Sequence, residues 1–162
     1  MPRYVKQKDK FRCGPVAIAN AMKWSGENYS WTKNKDKLTK LCNCENGTYR
    51  SDLKRALKQI IGAVIKFRYS TAPTLRSIDE HLAKGAVLLN LTRWDEDKRG
   101  HPGWDKIGHP FLIIDRTPHT YIVVSYHKDK NSVHRITRKT LNKDLHECRW
   151  MHEAYYLTKR KR

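Results

Sequence analysis

Two short apolar runs constrain the fold of this 162-residue chain more than any other feature. They are Ala86-Val87-Leu88-Leu89 and Phe111-Leu112-Ile113-Ile114. Runs of this length are typical of buried β-strands, so the chain should fold around a hydrophobic core. Its length suits one domain of ordinary size and is too short for two. We therefore expect a single domain over residues 1–158, followed by a basic tail over residues 159–162.

The hydrophobic pattern differs between the two halves of the chain. Helical spacing of apolar residues predicts α-helices at 15–24, 51–61 and 74–82. Strand-like runs and turn signals predict strands at 64–69, 86–91, 110–115 and 121–125, a short helix at 137–145 and a last edge strand at 154–158. This order indicates an α+β fold, with N-terminal helices packed on a C-terminal antiparallel β-sheet.

The formal net charge of +18 is the most unusual bulk property. Such a charge attracts polyanions and makes their binding sensitive to salt. Lysine and arginine are spread along the whole chain, however, and no recognised RNA- or DNA-binding motif is present. Non-specific nucleic-acid binding and an ordinary solvated basic surface are both open interpretations. The small, lysine-rich chain would also suit a viral or phage protein.

The sequence gives no sign of a membrane or a metal. No segment approaches the roughly 20 apolar residues of a membrane span, and the N-terminus lacks the apolar core of a secretion signal. We expect a cytoplasmic protein, in the host cytoplasm if it is viral, with its four cysteines reduced. Cys42-Asn43-Cys44 lacks the usual spacing of a structural zinc site, so we expect no metal and no cofactor.

Candidate chemistry is concentrated at Cys13 and His109. Cys13 stands at the start of the first predicted helix, where backbone N–H groups and the helix dipole favour a thiolate. We therefore expect a pKa lowered toward about 3.5–7.5 once a cationic imidazole lies nearby. Such a nucleophile needs a histidine that accepts and returns its proton. His109 follows Gly108 at the mouth of a buried strand and suits this role.

A longer pattern surrounds these two residues. Gln7 precedes Phe11-Arg12-Cys13-Gly14-Pro15-Val16-Ala17, Gly47-Thr48 leads into the second helix, Leu82-Ala83-Lys84-Gly85 precedes a strand, and Gly108-His109 opens a hairpin. From Gln7 to Leu157 the pattern resembles the C39-like branch of the papain-like cysteine peptidases. The resemblance implies a papain-like fold and a peptidase that acts through a thioester on Cys13, with a peptide or protein as substrate.

The resemblance also implies roles for single residues. Cys13 attacks a carbonyl, His109 acts as acid and base, and the Gln7 side chain stabilises the oxyanion together with the Cys13 N–H. The family usually orients its histidine with an Asp or Asn. Here Ser125 is the nearest equivalent, so the site is a triad completed by Ser125, a triad completed by a residue of the following loop such as Asp129 or Asn131, a Cys-His dyad, or a decayed site.

Three further positions are expected to contact the substrate. Gly14 and Gly108 flank the two reactive residues, and Trp104 belongs to a long loop, rich in charge and aromatics, that precedes His109. An ordinary solvated insertion is the alternative interpretation of that loop.

Two other functions are compatible with the sequence. The first is a catalytically silent papain-like scaffold that binds nucleic acid through its basic surface. The second is another cysteine-dependent acyl transfer, such as transpeptidation or deamidation, because one fold can host several chemistries. The sequence does not define the substrate or the oligomeric state.

Overall fold

The computed structural model describes residues 2–9, 12–44, 48, 50–91, 108–126, 132–146 and 152–161. Its helices are α1 (Cys13–Trp24), α2 (Trp31–Leu41), α3 (Arg50–Ile61), α4 (Leu75–Leu82) and α5 (Arg138–His146). Its strands are β1 (Ile65–Ser70), β2 (Ala86–Leu91), β3 (His109–Arg116), β4 (Thr120–Val124), β5 (Val133–Thr137) and β6 (Glu153–Lys159). Within these described ranges, no helix has the length and apolar character needed to cross a membrane.

The six strands of the described ranges form one antiparallel sheet in the order β1-β6-β2-β3-β4-β5. This arrangement confirms the predicted α+β class. One expectation about the sheet was wrong: β6 pairs with both β1 and β2 and lies inside the sheet, whereas it had been expected at an edge. Every residue from Glu153 to Leu157 is buried, as expected of an inner strand. This agrees with the aromatic and apolar character of this segment.

Both faces of the sheet are covered by helices. Along β2, Ala86 and Leu88 pack with residues of α1, α2 and α3, whereas Val87, Leu89 and Leu91 pack with residues of α4 and α5. Side chains of a strand alternate between the two faces, so a strand buried on both sides must be apolar at successive positions. The apolar runs of β2 and β3 are therefore central strands between two helical layers.

Two elements were missed because they bury little. α2 lies in the lysine-rich stretch after α1, and Leu38 is its one buried residue. The helix begins after Ser30, whose side chain accepts a hydrogen bond from the Lys33 N–H at 3.3 Å. β5 buries only Ile136, so its alternation is too weak to read as a strand. The polar loop predicted before β3 lies, except for Gly108, outside the described residues.

A buried asparagine holds the N-terminal segment against α1. Asn20 lies seven residues, or about two turns, after Cys13. Its Oδ1 accepts the Val5 N–H at 2.7 Å, and its Nδ2 donates to the Val5 carbonyl oxygen at 3.1 Å. A buried amide satisfied in this way fixes the backbone beside it. The paired bonds therefore set the path of the segment that carries Gln7.

A close approach between α4 and β6 depends on Gly85. The ring Nε2 of His81 lies 2.7 Å from the carbonyl oxygen of Leu157. A Cβ atom at Gly85 would lie 1.9 Å from that carbonyl oxygen and 2.7 Å from His81 Nε2. Any side chain at this position would thus force apart two groups that share a buried hydrogen bond.

We expect Gly85→Ala to lower the free energy of unfolding by about 3 kcal/mol, because it adds a steric clash and breaks a buried hydrogen bond. Gly26→Ala is the matched control. A Cβ there meets no atom within 4 Å, but φ is +96°, so the cost should be the backbone strain of about 1 kcal/mol. Urea denaturation of both variants measures the difference. Equal destabilisation would contradict this account of the helix-to-sheet contact.

Candidate active site

The thiol of Cys13 lies at the junction of α1 and β3. Cys13 is the first residue of α1, and its S–H donates to the carbonyl oxygen of Gly108, with 3.7 Å between sulfur and oxygen. The chain before the helix is held by Asp9, whose Oδ1 accepts the Arg12 N–H at 2.9 Å. The fold thus brings the predicted nucleophile to the residue that immediately precedes His109.

The ring of His109 is oriented by a backbone carbonyl. Its Nε2 lies 2.8 Å from the carbonyl oxygen of Tyr126. A carbonyl oxygen only accepts, so Nε2 carries a proton, and whenever the ring is neutral its lone pair lies on Nδ1. The ring also stacks on Phe111, with centroids 6.1 Å apart and an interplanar angle of 25°. These contacts fix both the tautomer and the plane of the imidazole.

Among the described residues, the acceptor for His109 Nε2 is the Tyr126 carbonyl and not the Ser125 hydroxyl, which corrects the interpretation of Ser125 as the orienting residue. Ser125 Oγ is buried and has no hydrogen-bond partner within the described parts of the chain. Its backbone has φ of +62°, in the left-handed region that a non-glycine residue rarely adopts. Ser125 thus contributes through its backbone, which turns the chain after β4.

Tyr126 is itself held firmly. Its hydroxyl donates to Asp144, and its ring meets Phe111 edge to face, with centroids 4.9 Å apart. The preceding N–H, that of Ser125, donates to the Ser132 carbonyl oxygen at 2.7 Å. The residues that orient His109 are thereby anchored to α5, β3 and the start of β5. Asp129 and Asn131, the other candidates for this role, lie outside the described residues.

The pKa of the Cys13 thiol is raised to about 11, chiefly by burial, which disfavours the charged thiolate. The side chain is 5% exposed. Backbone N–H groups of Gly14, Cys13 and Thr48 lower the pKa but do not offset the lost solvation. Burial thus outweighs the helix start in this structure, and the lowering expected beside a cationic imidazole stays a prediction. The thiol is neutral there, and a base must remove its proton when it reacts.

Gln7 is buried beside the start of α1. Its Nε2 donates to the carbonyl oxygen of Asp9 at 2.6 Å, which leaves a second N–H on the same nitrogen. Its Oε1 is buried without a hydrogen-bond partner among the described residues. Gln7 is therefore a buried residue of the segment that precedes α1.

Gly14 and Gly108 each allow a close approach at the site. A Cβ at Gly14 would lie 2.3 Å from Thr48 Oγ1, and one at Gly108 would lie 2.1 Å from Asn90 Oδ1. The first approach brings the Thr48 N–H to the Cys13 thiol. Close packing against Thr48 and Asn90 therefore explains why both positions are glycine. Their expected contact with substrate stays a prediction. Trp104, the third predicted contact, lies outside the described residues.

A buried polar cluster next to Gly108 was missed by the sequence analysis. The Glu153 carboxylate accepts from Asn90 Nδ2 at 3.0 Å and from the Tyr69 hydroxyl, and it pairs with Arg50 Nε at 3.0 Å. Asn90 packs directly on Gly108, so the cluster supports the backbone that meets Cys13. In the sequence, the cluster was marked by one polar residue in each of two apolar segments. These are Asn90 in β2 and Glu153 in β6.

The other described cysteines are buried free thiols. Burial raises the pKa of Cys42 to about 12, and Cys44 Sγ donates to the Thr39 carbonyl oxygen at 3.6 Å. Within the described ranges, no three His, Cys, Asp or Glu residues lie close enough to hold a metal ion. Cys148 lies outside the described residues.

Comparisons with known proteins address the fold. No protein-family model and no curated protein sequence matches the chain. Several solved structures do match. The peptidase domain of Streptococcus ComA, a bifunctional ABC transporter of a quorum-sensing pathway, has a TM-score of 0.68 and 16% identity, covering 99% of this chain and 100% of that one.

Two further structures agree with this match. The peptidase domain of Streptococcus mutans ComA gives a TM-score of 0.55 at 16% identity, over 96% of this chain and 98% of that one. A protein described as a C39-like peptidase from Bacillus anthracis gives a TM-score of 0.63 at 10% identity, over 99% of this chain and 94% of that one. The resemblance predicted from the Gln7 to Leu157 pattern is thus confirmed at the level of structure. This chain has the fold of C39 peptidase domains.

Proposed function

We propose that this protein is a cysteine peptidase that cleaves peptide bonds through a thioester on Cys13. One observation carries the proposal. Cys13, at the start of a helix, contacts the carbonyl of Gly108, and the next residue, His109, is oriented so that its Nδ1 carries a lone pair. The similarity to C39 peptidase domains supports the same reaction class.

The first half-reaction forms the acyl-enzyme. His109 Nδ1 takes the Cys13 proton while the sulfur attacks the substrate carbonyl carbon, which gives a tetrahedral intermediate. The remaining Gln7 N–H and the Cys13 backbone N–H stabilise its negative oxygen. The intermediate collapses as His109 gives the proton to the leaving amine, and the thioester remains.

The second half-reaction restores the enzyme. His109 takes a proton from water, the hydroxide attacks the thioester carbonyl, and the carboxylic acid leaves as the thiol is reprotonated. A histidine whose ring orientation is fixed by Tyr126 can serve in both half-reactions without turning.

A peptide library tests the proposal without a known substrate. The protein is incubated with a mixed library of peptides, and new N-termini are identified by mass spectrometry. Cys13→Ala should abolish cleavage, and His109→Ala should lower it by about 10²–10⁴-fold. His119→Ala, an exposed histidine in the β3–β4 turn, is the matched control and should cleave normally. Cleavage that survives Cys13→Ala would overturn the proposal.

The raised pKa of Cys13 predicts the pH profile of its alkylation. Because the thiolate forms only as pH approaches about 11, the rate with iodoacetamide should rise through pH 7–9 and show no plateau near pH 6. Trypsin cuts after Arg12 and Lys23, so the labelled Cys13 peptide can be quantified by mass spectrometry beside the other cysteines. A plateau at pH 6 would instead reveal a preformed thiolate–imidazolium pair.

The orientation of His109 predicts that two changes at Ser125 have different effects on peptide cleavage. Both Ser125→Gly and Ser125→Val remove the hydroxyl, but only glycine adopts the left-handed backbone readily. We expect Ser125→Gly to keep cleavage within about twofold, and Ser125→Val to lower it at least tenfold because the Tyr126 carbonyl is displaced. Equal, large losses in both variants would assign the orienting role to the hydroxyl. Circular dichroism confirms folding of each.

A further inference from the structure

A basic groove runs between the N-terminal segment and the start of α2. It has a volume of about 690 Å³, within the range of about 300–1,000 Å³ that is common for ligand sites. We propose that this groove binds single-stranded nucleic acid, as a second activity separate from peptide cleavage.

The groove carries a strong excess of positive charge. Five of its cationic residues make no ion pair with any described residue, and they are Arg3, Lys6, Lys8, Lys23 and Lys35. Among the described lining residues, the one acidic side chain is that of Asp9, which lies 3.3 Å from Arg12 and is largely compensated by it. Unpaired cations that line one groove replace the counterions of a phosphate backbone, and this release drives binding.

Aromatic side chains line the same groove. Tyr29 and Trp31 lie between the end of α1 and the start of α2, where both are half-buried, pack on the core and line the groove. Rings held this way are platforms for unpaired bases, which is why the occupant is expected to be single-stranded. An acidic peptide would satisfy the cations but would not use the ring faces.

The groove is preformed and adjoins the candidate active site through the N-terminal segment, but neither proposed reactive residue lines it. One wall is the segment that Asn20 holds through both polar atoms of the Val5 backbone. In the part of the chain that the structure describes, its lining includes neither Cys13 nor Gly108 nor His109. Nucleic-acid binding should therefore survive Cys13→Ala, whether or not the protein cleaves peptides.

Salt-dependent binding of a fluorescently labelled dT20 oligonucleotide, followed by anisotropy, tests the proposal. Contacts with five phosphates predict a slope of log K against log salt of about −3.5, or roughly a hundredfold loss of affinity between 50 and 200 mM salt. Changing Arg3, Lys6 and Lys35 to Glu should lower affinity at least a hundredfold. Changing Lys66, Arg135 and Lys139 to Glu gives a control of equal net charge, with all three sites exposed and outside the groove.

Two further measurements separate the groove from the general charge of the protein. Trp31→Ala should lower affinity for dT20 about tenfold while leaving the salt slope unchanged, because stacking is lost and phosphate contacts remain. Poly-glutamate of matched charge should compete poorly with dT20 for binding to the protein. Equal losses in the groove and control variants would overturn the proposal, and so would equal competition by poly-glutamate, which would assign the groove to an acidic protein. Circular dichroism excludes unfolding as the cause.

Discussion

The S–H of Cys13 meets the carbonyl oxygen of Gly108 where α1 packs on β3, although 95 residues separate the two in sequence. Two close approaches of the candidate site meet at this contact. Gly14 lets Thr48 approach the same helix end, and Gly108 lets Asn90 approach from the sheet. Because a side chain at either glycine would collide with a buried neighbour, the junction tolerates little change. The dense packing of protein interiors therefore fixes the reactive geometry.

The orienting group for His109 has a consequence for the chemistry. A backbone carbonyl fixes the tautomer, as a carboxylate would, but it brings no negative charge to stabilise an imidazolium. Burial meanwhile raises the pKa of Cys13 to about 11. The raised pKa favours a neutral thiol in the unliganded protein. Proton transfer is then coupled to attack on the substrate, and the fixed ring makes that transfer efficient.

Much of this structure follows from local patterns in the sequence. The apolar runs of β2 and β3, the helix that begins near Cys13 and the helix predicted at 74–82 are encoded by neighbouring residues, so they were predictable. α2 and β5 were missed because each buries one residue. The roles of Asn20, Tyr126 and Glu153 were not predictable, because each depends on a contact with a residue far away in sequence. The raised pKa of Cys13 likewise reflects tertiary burial, which a helix-start argument does not include.

The central claim is that His109 activates Cys13 for acyl transfer, and the acylation rate of Cys13 tests it most directly. The protein is mixed with p-nitrophenyl acetate at pH 7, quenched in acid at set times, and the acetylated Cys13 peptide is measured by mass spectrometry. We predict acylation of the wild-type protein at Cys13 and a rate lower by at least a hundredfold in His109→Ala, with His119→Ala unchanged. Equal rates in the wild-type protein and His109→Ala would contradict the account.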